Sequence, residues 1–324
     1  MNFLISLILL FMVISPSVTY AMGVVPATEE VIVPTIEFVG SIGLPGTGDG
    51  QFYYPRDVSV GLAGDLETGL GSIFVADTGN NRVQRVQGDG TYLYQFGRFG
   101  TAQGKFNSPV GITVDFNLRI YVTEKDNDRV QLFDIRGNFL SEIATGEYNY
   151  RTINGPAGID VDTWGNVYLA DSGNDRILKF SDVGRFQEAY GGFGWGSGFF
   201  DNPMDVAVDK HRYIYVADTQ NHRIQKLDYD GQPLFSFGSM GKEPGQFYHP
   251  QGIEVDDRFI YVSDTGNDRI QLFSKQGKFV AAFGKSGSRR GEFNGPVGIA
   301  KGQDNRLIIA DSGNHRIQEL LINY

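Results

Sequence analysis

Apolar and polar residues alternate in short runs along most of the chain. One clear group of runs lies at Gly111–Asp115, Arg119–Thr123 and Arg129–Phe133, with a further run around Phe139. Strict alternation over such short stretches is typical of β-strands that bury one face. Each group therefore predicts four strands joined by turns, which we designate a to d in chain order.

The group of runs recurs at a constant interval. Each copy contains an acidic residue, four turn residues and an arginine. The pairs are Asp77 and Arg82, Glu124 and Arg129, Asp171 and Arg176, Asp218 and Arg223, Asp264 and Arg269, and Asp311 and Arg316. Successive arginines are 47, 47, 47, 46 and 47 residues apart, and a proline follows each of the first five after 27 residues. This period predicts six structural units.

The two ends of the repeat predict how the units are arranged. Only eight residues follow Arg316, too few for a fourth strand in the last unit, while Phe38–Gly43 occupies the position of strand d relative to Pro55. A parallel solenoid is the structural alternative. We predict an all-β, six-bladed β-propeller with four antiparallel strands per blade, strand a nearest the axis. Its ring is closed by the N-terminal strand pairing with the last blade at Ile317–Leu320, which removes an exposed edge.

Two units carry the clearest resemblance to a known family. The segments DTQNHRIQKLD (Asp218–Asp228) and DSGNHRIQEL (Asp311–Leu320) resemble the NHL repeat, and the resemblance extends from Phe38 to the C-terminus. The family includes RNA-binding and protein-binding domains, extracellular sensor domains and a peptidyl-amidoglycolate lyase domain. The resemblance therefore implies a fold and a binding face and leaves the reaction open.

The acid–arginine pairs are interpreted as structural. Each acid ends strand b and each arginine begins strand c, so the two face each other across a hairpin and predict a cross-strand ion pair. Catalytic groups are usually unique within a chain, whereas this pair recurs in every unit. The second unit departs from the pattern with Glu124, Lys125 and Asp126, and it is either an irregular site or a longer acid in the same ion pair.

Positions that break the repeat are the candidates for recognition. The d–a loops and b–c turns emerge on one face, which we call the loop face, and its irregular residues surround the mouth of the channel. The binding candidates are Tyr53, Tyr54, Arg56, Asp57, Trp195, Met204, Asp205, Tyr248, His249 and Gln251. These aromatic, amide and charged groups suit a protein, a peptide or a glycan.

Two irregular segments leave alternatives open. Trp195, in the loop Gly191–Gly198, is either an exposed binding anchor or a plug packed on the neighbouring blade. In the first unit the acid Asp77 lies 22 positions after Pro55, whereas in the others it lies 14 or 15 positions after the proline, because Gly61–Gly71 enlarges the a–b turn. This insertion, on the face opposite the loop face, is the rival location for a contact loop.

Evidence for catalysis is weaker. Asp160 and Glu254 occupy a strand-a position that is Ser, Thr or Ala in other units, and two carboxylates near the axis are candidate ligands for Ca²⁺. They are otherwise carboxyl groups satisfied by backbone N–H groups or water. His222 and His315 share one turn position, which separates them too far to bind one zinc ion, and no G-x-S-x-G motif is present.

Composition and charge narrow the class of partner. The formal charge of −10 and the pI of about 4.9 argue against RNA or DNA as a ligand. The chain contains no cysteine, which excludes disulfides and thiolate chemistry.

The N-terminus predicts export. The apolar run Phe3–Ile14 and the small-residue site ending at Ala21 predict a signal peptide at 1–21, followed by a flexible leader at 22–34 and the propeller at 35–324. An uncleaved anchor is the alternative, because the first residues lack Lys and Arg. The mature chain is expected to be monomeric and to have no membrane span. It is expected to lie outside the cytoplasm, either secreted or associated with the cell surface.

The favoured hypothesis is therefore an extracellular, non-catalytic binding module that uses its loop face. The alternative is a metal-dependent propeller hydrolase or lyase, and RNA binding is the least favoured.

Overall fold

The described part of the chain contains six four-stranded antiparallel sheets. The computed structural model describes residues 33–61, 71–143 and 152–324. Hydrogen bonds join the strands of each sheet in the order a, b, c, d, with Thr35–Ile42 as the fourth strand of blade six. The predicted six-bladed β-propeller is confirmed. The predicted signal peptide, residues 22–32 of the predicted leader and residues 62–70 of the insertion lie outside the described residues.

Strand a of each blade lines the axis, and strand b pairs with it on the outer side. Strand a comprises Asp57–Val60, Pro109–Val114, Pro156–Val161, Pro203–Val208, Gly252–Val255 and Pro296–Lys301 in blades one to six. Strand b comprises Ser72–Asp77, Ile120–Glu124, Val167–Asp171, Ile214–Asp218, Phe259–Asp264 and Arg306–Asp311.

The outer strands complete the sheets. Strand c comprises Arg82–Gln87, Arg129–Phe133, Arg176–Phe180, Arg223–Leu227, Arg269–Ser274 and Arg316–Asn323. Strand d comprises Tyr92–Phe96, Phe139–Ile143, Phe186–Gly191, Pro233–Phe237 and Phe279–Phe283 in blades one to five, and Thr35–Ile42 in blade six. A short parallel pair, Leu44–Pro45 with Gln51–Phe52, precedes blade one.

Short helical turns occur in four of the b–c connections of the described residues. Within the described residues these are the 3₁₀ helices Thr78–Asn80, Ser172–Asn174, Thr265–Asn267 and Ser312–Asn314. No helix in this part of the chain has the length and apolar character needed to cross a membrane.

The N-terminal strand closes the ring as predicted. Phe38 pairs with Leu320 and Ile42 with Ile317, and the strand also extends back to Thr35, which lies opposite Asn323. A bulge between Phe38 and Gly40 shifts the register by one residue without ending the pairing. The last blade is thus built from both ends of the propeller.

The hydrophobic core is divided among the spaces between neighbouring blades. Every residue of the five-residue strands Ile120–Glu124, Val167–Asp171 and Ile214–Asp218 is buried, because strand b has a neighbouring blade on each side. Strand d at Pro233–Phe237 instead alternates between half-buried and exposed residues. Blade-to-blade packing therefore fixes the inner strands and leaves the loops between strands to shape the two faces.

Candidate functional site

Each d–a loop is held by the acid–arginine pair of the blade that it enters. In blade one, Arg82 Nε donates to Asp77 Oδ2 at 2.7 Å, and the same guanidinium donates to the carbonyl oxygens of Gly48 and Gln51 at 2.8 Å. The second carboxylate oxygen of Asp77 accepts the Tyr53 N–H at 2.7 Å. The loop backbone is thereby fixed without using its side chains.

The ion pair recurs in all six blades. The nitrogen–oxygen distances are 2.6–2.7 Å, and the acid side chains are fully buried. Blade two keeps the same arrangement with a glutamate, since Arg129 Nε lies 2.6 Å from Glu124 Oε1 and the arginine also bonds Glu142 at 2.9 Å. Lys125 donates its backbone N–H to the Ser108 carbonyl, whereas in the other blades the donor is the second residue after the acid, as in the bond from Gly79 to Tyr53.

The turn histidines connect neighbouring blades. Tyr54 N–H donates to His315 Nδ1 and His249 N–H donates to His222 Nδ1, both at 3.0 Å. Asn81, Asp128, Asp175 and Asp268 accept the equivalent bond at the other four junctions. A ring nitrogen that accepts a hydrogen bond is unprotonated, so these contacts require the neutral histidine. Burial lowers the pKa of His222, and the nearby His249 lowers it further. Both effects favour the neutral form that this contact requires.

Two aromatic groups form around these histidines on the loop face. Tyr53 stacks on His315 with ring centroids 5.0 Å apart, and Tyr54 meets the same ring edge-on at 4.3 Å. In the second group, Tyr248 stacks on His222 at 5.5 Å and His249 lies 4.4 Å from His222. Both groups combine an exposed tyrosine face with a fixed ring beneath it.

The mouth of the channel is narrow. Arg56 and Gln251 extend from blades one and five, and an Arg56 nitrogen donates to Gln251 Oε1 at 3.3 Å. Burial lowers the pKa of Arg56, an effect that Asp57 opposes. Met204 also lines this mouth, whose cavity has a volume of about 20 Å³. This volume is sufficient for roughly one water molecule.

Four carboxyl groups line the channel below the mouth. The cavity there measures about 50 Å³ and is lined by Asp57, Asp160, Asp205 and Glu254. Each aspartate accepts a backbone N–H from strand a of the next blade, as Asp160 Oδ2 does from Val208 at 2.8 Å. The carboxyl groups therefore link strand a of one blade to strand a of the next.

Burial dominates the acid–base behaviour of these groups. It raises the pKa of Asp160 to about 7 and that of Glu254 to about 8, although backbone N–H bonds act in the opposite direction. Burial also raises the pKa values of Asp57 and Asp205, and the proximity of Asp57 adds to the rise at Asp205. Removal from water disfavours the charged form more than the hydrogen bonds favour it.

The channel contains two acids in addition to Asp160 and Glu254, the pair that the sequence analysis placed near the axis. Asp57 and Asp205, which the sequence predicts at the mouth, line both the mouth cavity and the channel cavity, where they join Asp160 and Glu254. The available signal was their position, the second residue after the blade proline, where the other four blades have glycine. No three His, Asp or Glu side chains within the described ranges are placed to share a metal ion, and calcium binding stays a prediction.

Trp195 lies in an exposed aromatic loop. Its side chain is 73% exposed and meets Phe193 edge-on with centroids 5.9 Å apart. Phe199, in the same loop, is also exposed. Sequence reasoning did not single out these phenylalanines, nor the exposed Phe99 and Met240 at matching loop positions, because the repeat does not indicate which apolar loop residues are exposed.

Solved structures share this architecture. Within the described chain, the ring of four-stranded antiparallel sheets defines a six-bladed β-propeller. The family model of the NHL repeat matches residues 200–227 and 293–320, which lie in blades four and six. These matches cover the two units that carry the closest resemblance to the repeat.

Three similar structures illustrate the range of proteins with this fold. A streptogramin B lyase structure is 14% identical, with a TM-score of 0.60 over 91% of this chain and 100% of that one. An auxiliary nutrient binding protein from Bacteroides thetaiotaomicron is 13% identical, with a TM-score of 0.62 over 90% and 77%. A gluconolactonase from Xanthomonas campestris is 14% identical, with a TM-score of 0.60 over 89% and 97%.

At these identities the similarity extends to the fold alone. A search of curated proteins finds no significant match to the sequence. Function therefore has to be argued from the surfaces of this propeller.

Proposed function

We propose that the protein is an extracellular, non-catalytic binding module that recognises a protein, peptide or surface glycan through its loop face. The observation that carries this proposal is the exposed aromatic loop containing Phe193, Trp195 and Phe199. The following d–a loop adds Met240 and Tyr248, which are also exposed. Large aromatic groups on an exposed surface are typical anchors of binding interfaces.

The backbone of the aromatic loop supports this interpretation. Arg223 donates to the carbonyl oxygens of Trp195, Gly196 and Phe199 at 2.8–3.0 Å. These bonds fix the loop through its main chain, so the three aromatic side chains are not required to hold it. A fixed loop with solvent-facing side chains presents them to a partner at low entropic cost.

The dimensions of the channel favour recognition on the outer surface. The mouth and the channel cavity measure about 20 and 50 Å³. Sites for small organic ligands usually measure roughly 300–1,000 Å³. The loop face is therefore a better location for a partner than the axis.

The competing proposal is a metal-dependent hydrolase or lyase that uses Asp160 and Glu254. Its support is the fold shared with lyase and gluconolactonase structures. Metal analysis of the purified protein separates the two proposals. Stoichiometric Ca²⁺ that is lost together with an enzymatic activity on treatment with EDTA would favour the enzyme, whereas metal-free protein that binds its partner favours the binding module.

Extracellular location is part of the proposal. It is supported by the apolar N-terminal run and the small-residue site at Ala21. Mass spectrometry of the protein recovered from its native host should find an N-terminus at Met22. Recovery of the intact chain in the cytoplasm would contradict export.

The two tryptophans of the chain provide a matched test of the loop face. Trp195 lies on this face, whereas Trp164, 61% exposed, lies in the a–b turn of blade three on the opposite face. We expect Trp195→Ala to weaken binding to a glycan or peptide array at least about tenfold, as a central aromatic anchor does. Trp164→Ala should leave array binding unchanged, and neither variant should alter the melting temperature appreciably.

A third variant addresses the rival location. Shortening the segment between Gly61 and Gly71 should leave array binding intact. Loss of binding only in the shortened variant would move the recognition surface to the opposite face and refute this assignment.

A further inference from the structure

A cavity of about 440 Å³ lies between blade six and blade one, on the face opposite the loop face. We call it the seam cavity. Its lining includes Ile42, Ile73, Gln303, Arg306, Ile308 and Glu319. Residues 62–70, between Gly61 and the rim residue Gly71, lie outside the described part of the chain.

A missing aromatic side chain accounts for the location of the cavity. In blades one to five, strand b contributes a fully buried aromatic residue to the core shared with the next blade. These residues are Phe74, Tyr121, Tyr168, Tyr215 and Tyr261. Blade six has Ile308 at this position, in the core shared with blade one. An isoleucine side chain is smaller than a phenol and leaves space where the repeat places a ring.

The polar partner of that ring has changed as well. In blades two to five, the tyrosine hydroxyl lies 2.7–3.4 Å from a carboxylate at the end of strand a. The corresponding residue of blade six is Gly302, which has no side chain, and the next residue, Gln303, lines the seam cavity. Its Nε2 is buried and has no hydrogen-bond partner. The seam cavity therefore retains a buried donor next to the place that a tyrosyl ring occupies in other blades.

Glu319 supplies a complementary acceptor. The other blades have Arg, Leu or Lys at this strand-c position. Glu319 is 3% exposed, its Oε2 is 2.5 Å from an Arg306 nitrogen, and its Oε1 has no hydrogen-bond partner. Burial raises the pKa of Glu319, while Arg306 opposes the rise. Buried polar atoms in native proteins are nearly always paired, so an unpaired acceptor and an unpaired donor in one cavity indicate a missing partner.

We propose that the seam cavity binds a small phenolic compound. Its aromatic ring takes the place of the tyrosyl ring that blade six lacks, packing against Ile42, Ile73 and Ile308. A phenolic hydroxyl both donates and accepts, so it is suited to Glu319 Oε1 and Gln303 Nε2. The volume of the cavity exceeds that of a single ring and accommodates substituents on it. The site is remote from the loop face and does not depend on the function proposed above.

The minimal probe is p-cresol, the side-chain analogue of tyrosine, with toluene as its matched control. We expect p-cresol to bind the purified protein with a dissociation constant of about 1 mM or below, measured by ligand-observed NMR. Toluene lacks the hydroxyl and should bind at least about tenfold more weakly. The proposal would be overturned if p-cresol did not bind at about 10 mM, or if toluene bound as tightly as p-cresol.

Two variants locate the site. Ile308→Tyr restores the aromatic residue of the repeat and fills the cavity, and Glu319→Leu introduces the residue found in blades two and five. Each should weaken p-cresol binding at least about tenfold while the protein remains folded in a thermal melt. Trp195→Ala on the loop face should leave p-cresol binding unchanged. Retention of binding in both cavity variants would place p-cresol elsewhere and refute the assignment.

Discussion

Arg176 illustrates how one side chain holds two parts of a blade. Its Nε lies 2.6 Å from Asp171 Oδ2, and both side chains are buried. We expect Arg176→Ala to lower the free energy of unfolding by about 3 kcal/mol, because the buried Asp171 carboxylate loses its cationic partner. Urea denaturation measures this loss, and binding by the folded fraction should be unchanged.

An exposed ion pair provides the control for Arg176. Lys210 Nζ lies 2.7 Å from Asp257, with both side chains more than half exposed. Lys210→Ala should change the unfolding free energy by less than about 0.5 kcal/mol. A larger loss for Lys210→Ala than for Arg176→Ala, or selective loss of binding in Arg176→Ala, would contradict a structural role for the repeated pair.

The channel carboxyls predict an unusual pH dependence of stability. Asp160 has a pKa of about 7 in the folded chain, against an ordinary value of 3.8. Between these values the unfolded chain releases this proton and the folded chain retains it. The stabilisation that Asp160 contributes to the folded chain is therefore complete below pH 4 and is lost as the pH rises through about 7.

Asp160→Asn tests this dependence, because an amide resembles the protonated acid but does not titrate. Unfolding free energies of both proteins should be compared from about pH 5 to about pH 9. The variant should gain stability relative to the wild type as the pH rises. Parallel profiles would show that the folded chain does not hold the Asp160 proton.

At the scale of elements, the N-terminal strand is decisive for the ring. Ile42 is buried and Ile36 and Phe38 pack against the core of the last two blades. Fully burying such a side chain stabilises a fold by about 1.5–3 kcal/mol. A chain beginning at Leu44 should therefore melt at a much lower temperature than one beginning at Thr35, because it also leaves strand c of blade six as an open edge.

The leader provides the comparison for this deletion. A chain beginning at Met22 should melt within a few degrees of one beginning at Thr35. Equal melting of the chains that begin at Thr35 and Leu44 would mean that pairing with Ile317–Leu320 is dispensable for the ring.

The strands were predictable from the sequence because the repeat is locally encoded. The alternating pattern, the proline and the acid–arginine pair mark the strand ends in each unit, and the missing fourth strand identifies the closure. The side-chain environment at a single position was harder to predict. Asp57 and Asp205 come directly after the mouth residues Arg56 and Met204, and the repeat does not indicate that they also line the channel cavity.

At the scale of the whole molecule, contacts between units that are distant in the sequence could not be predicted from the repeat pattern. Gln303, Ile308 and Glu319 are each unremarkable departures from their units. The structure brings them together with Ile42 and Ile73, because blade six meets blade one only after the ring has closed. The exposed loop aromatics were missed for a related reason, since their exposure depends on how neighbouring loops pack.

The same closure also determines how the propeller responds to mechanical tension. Thr35 and Asn323 stand opposite each other at one end of the closing strand pair, and the register runs from there to Ile42 and Ile317. A force applied between the two ends of the propeller therefore pulls the two strands apart starting from Thr35 and Asn323. Antiparallel bonds loaded in this direction break one after another, so the ring should open at blade six while the other five blades remain folded.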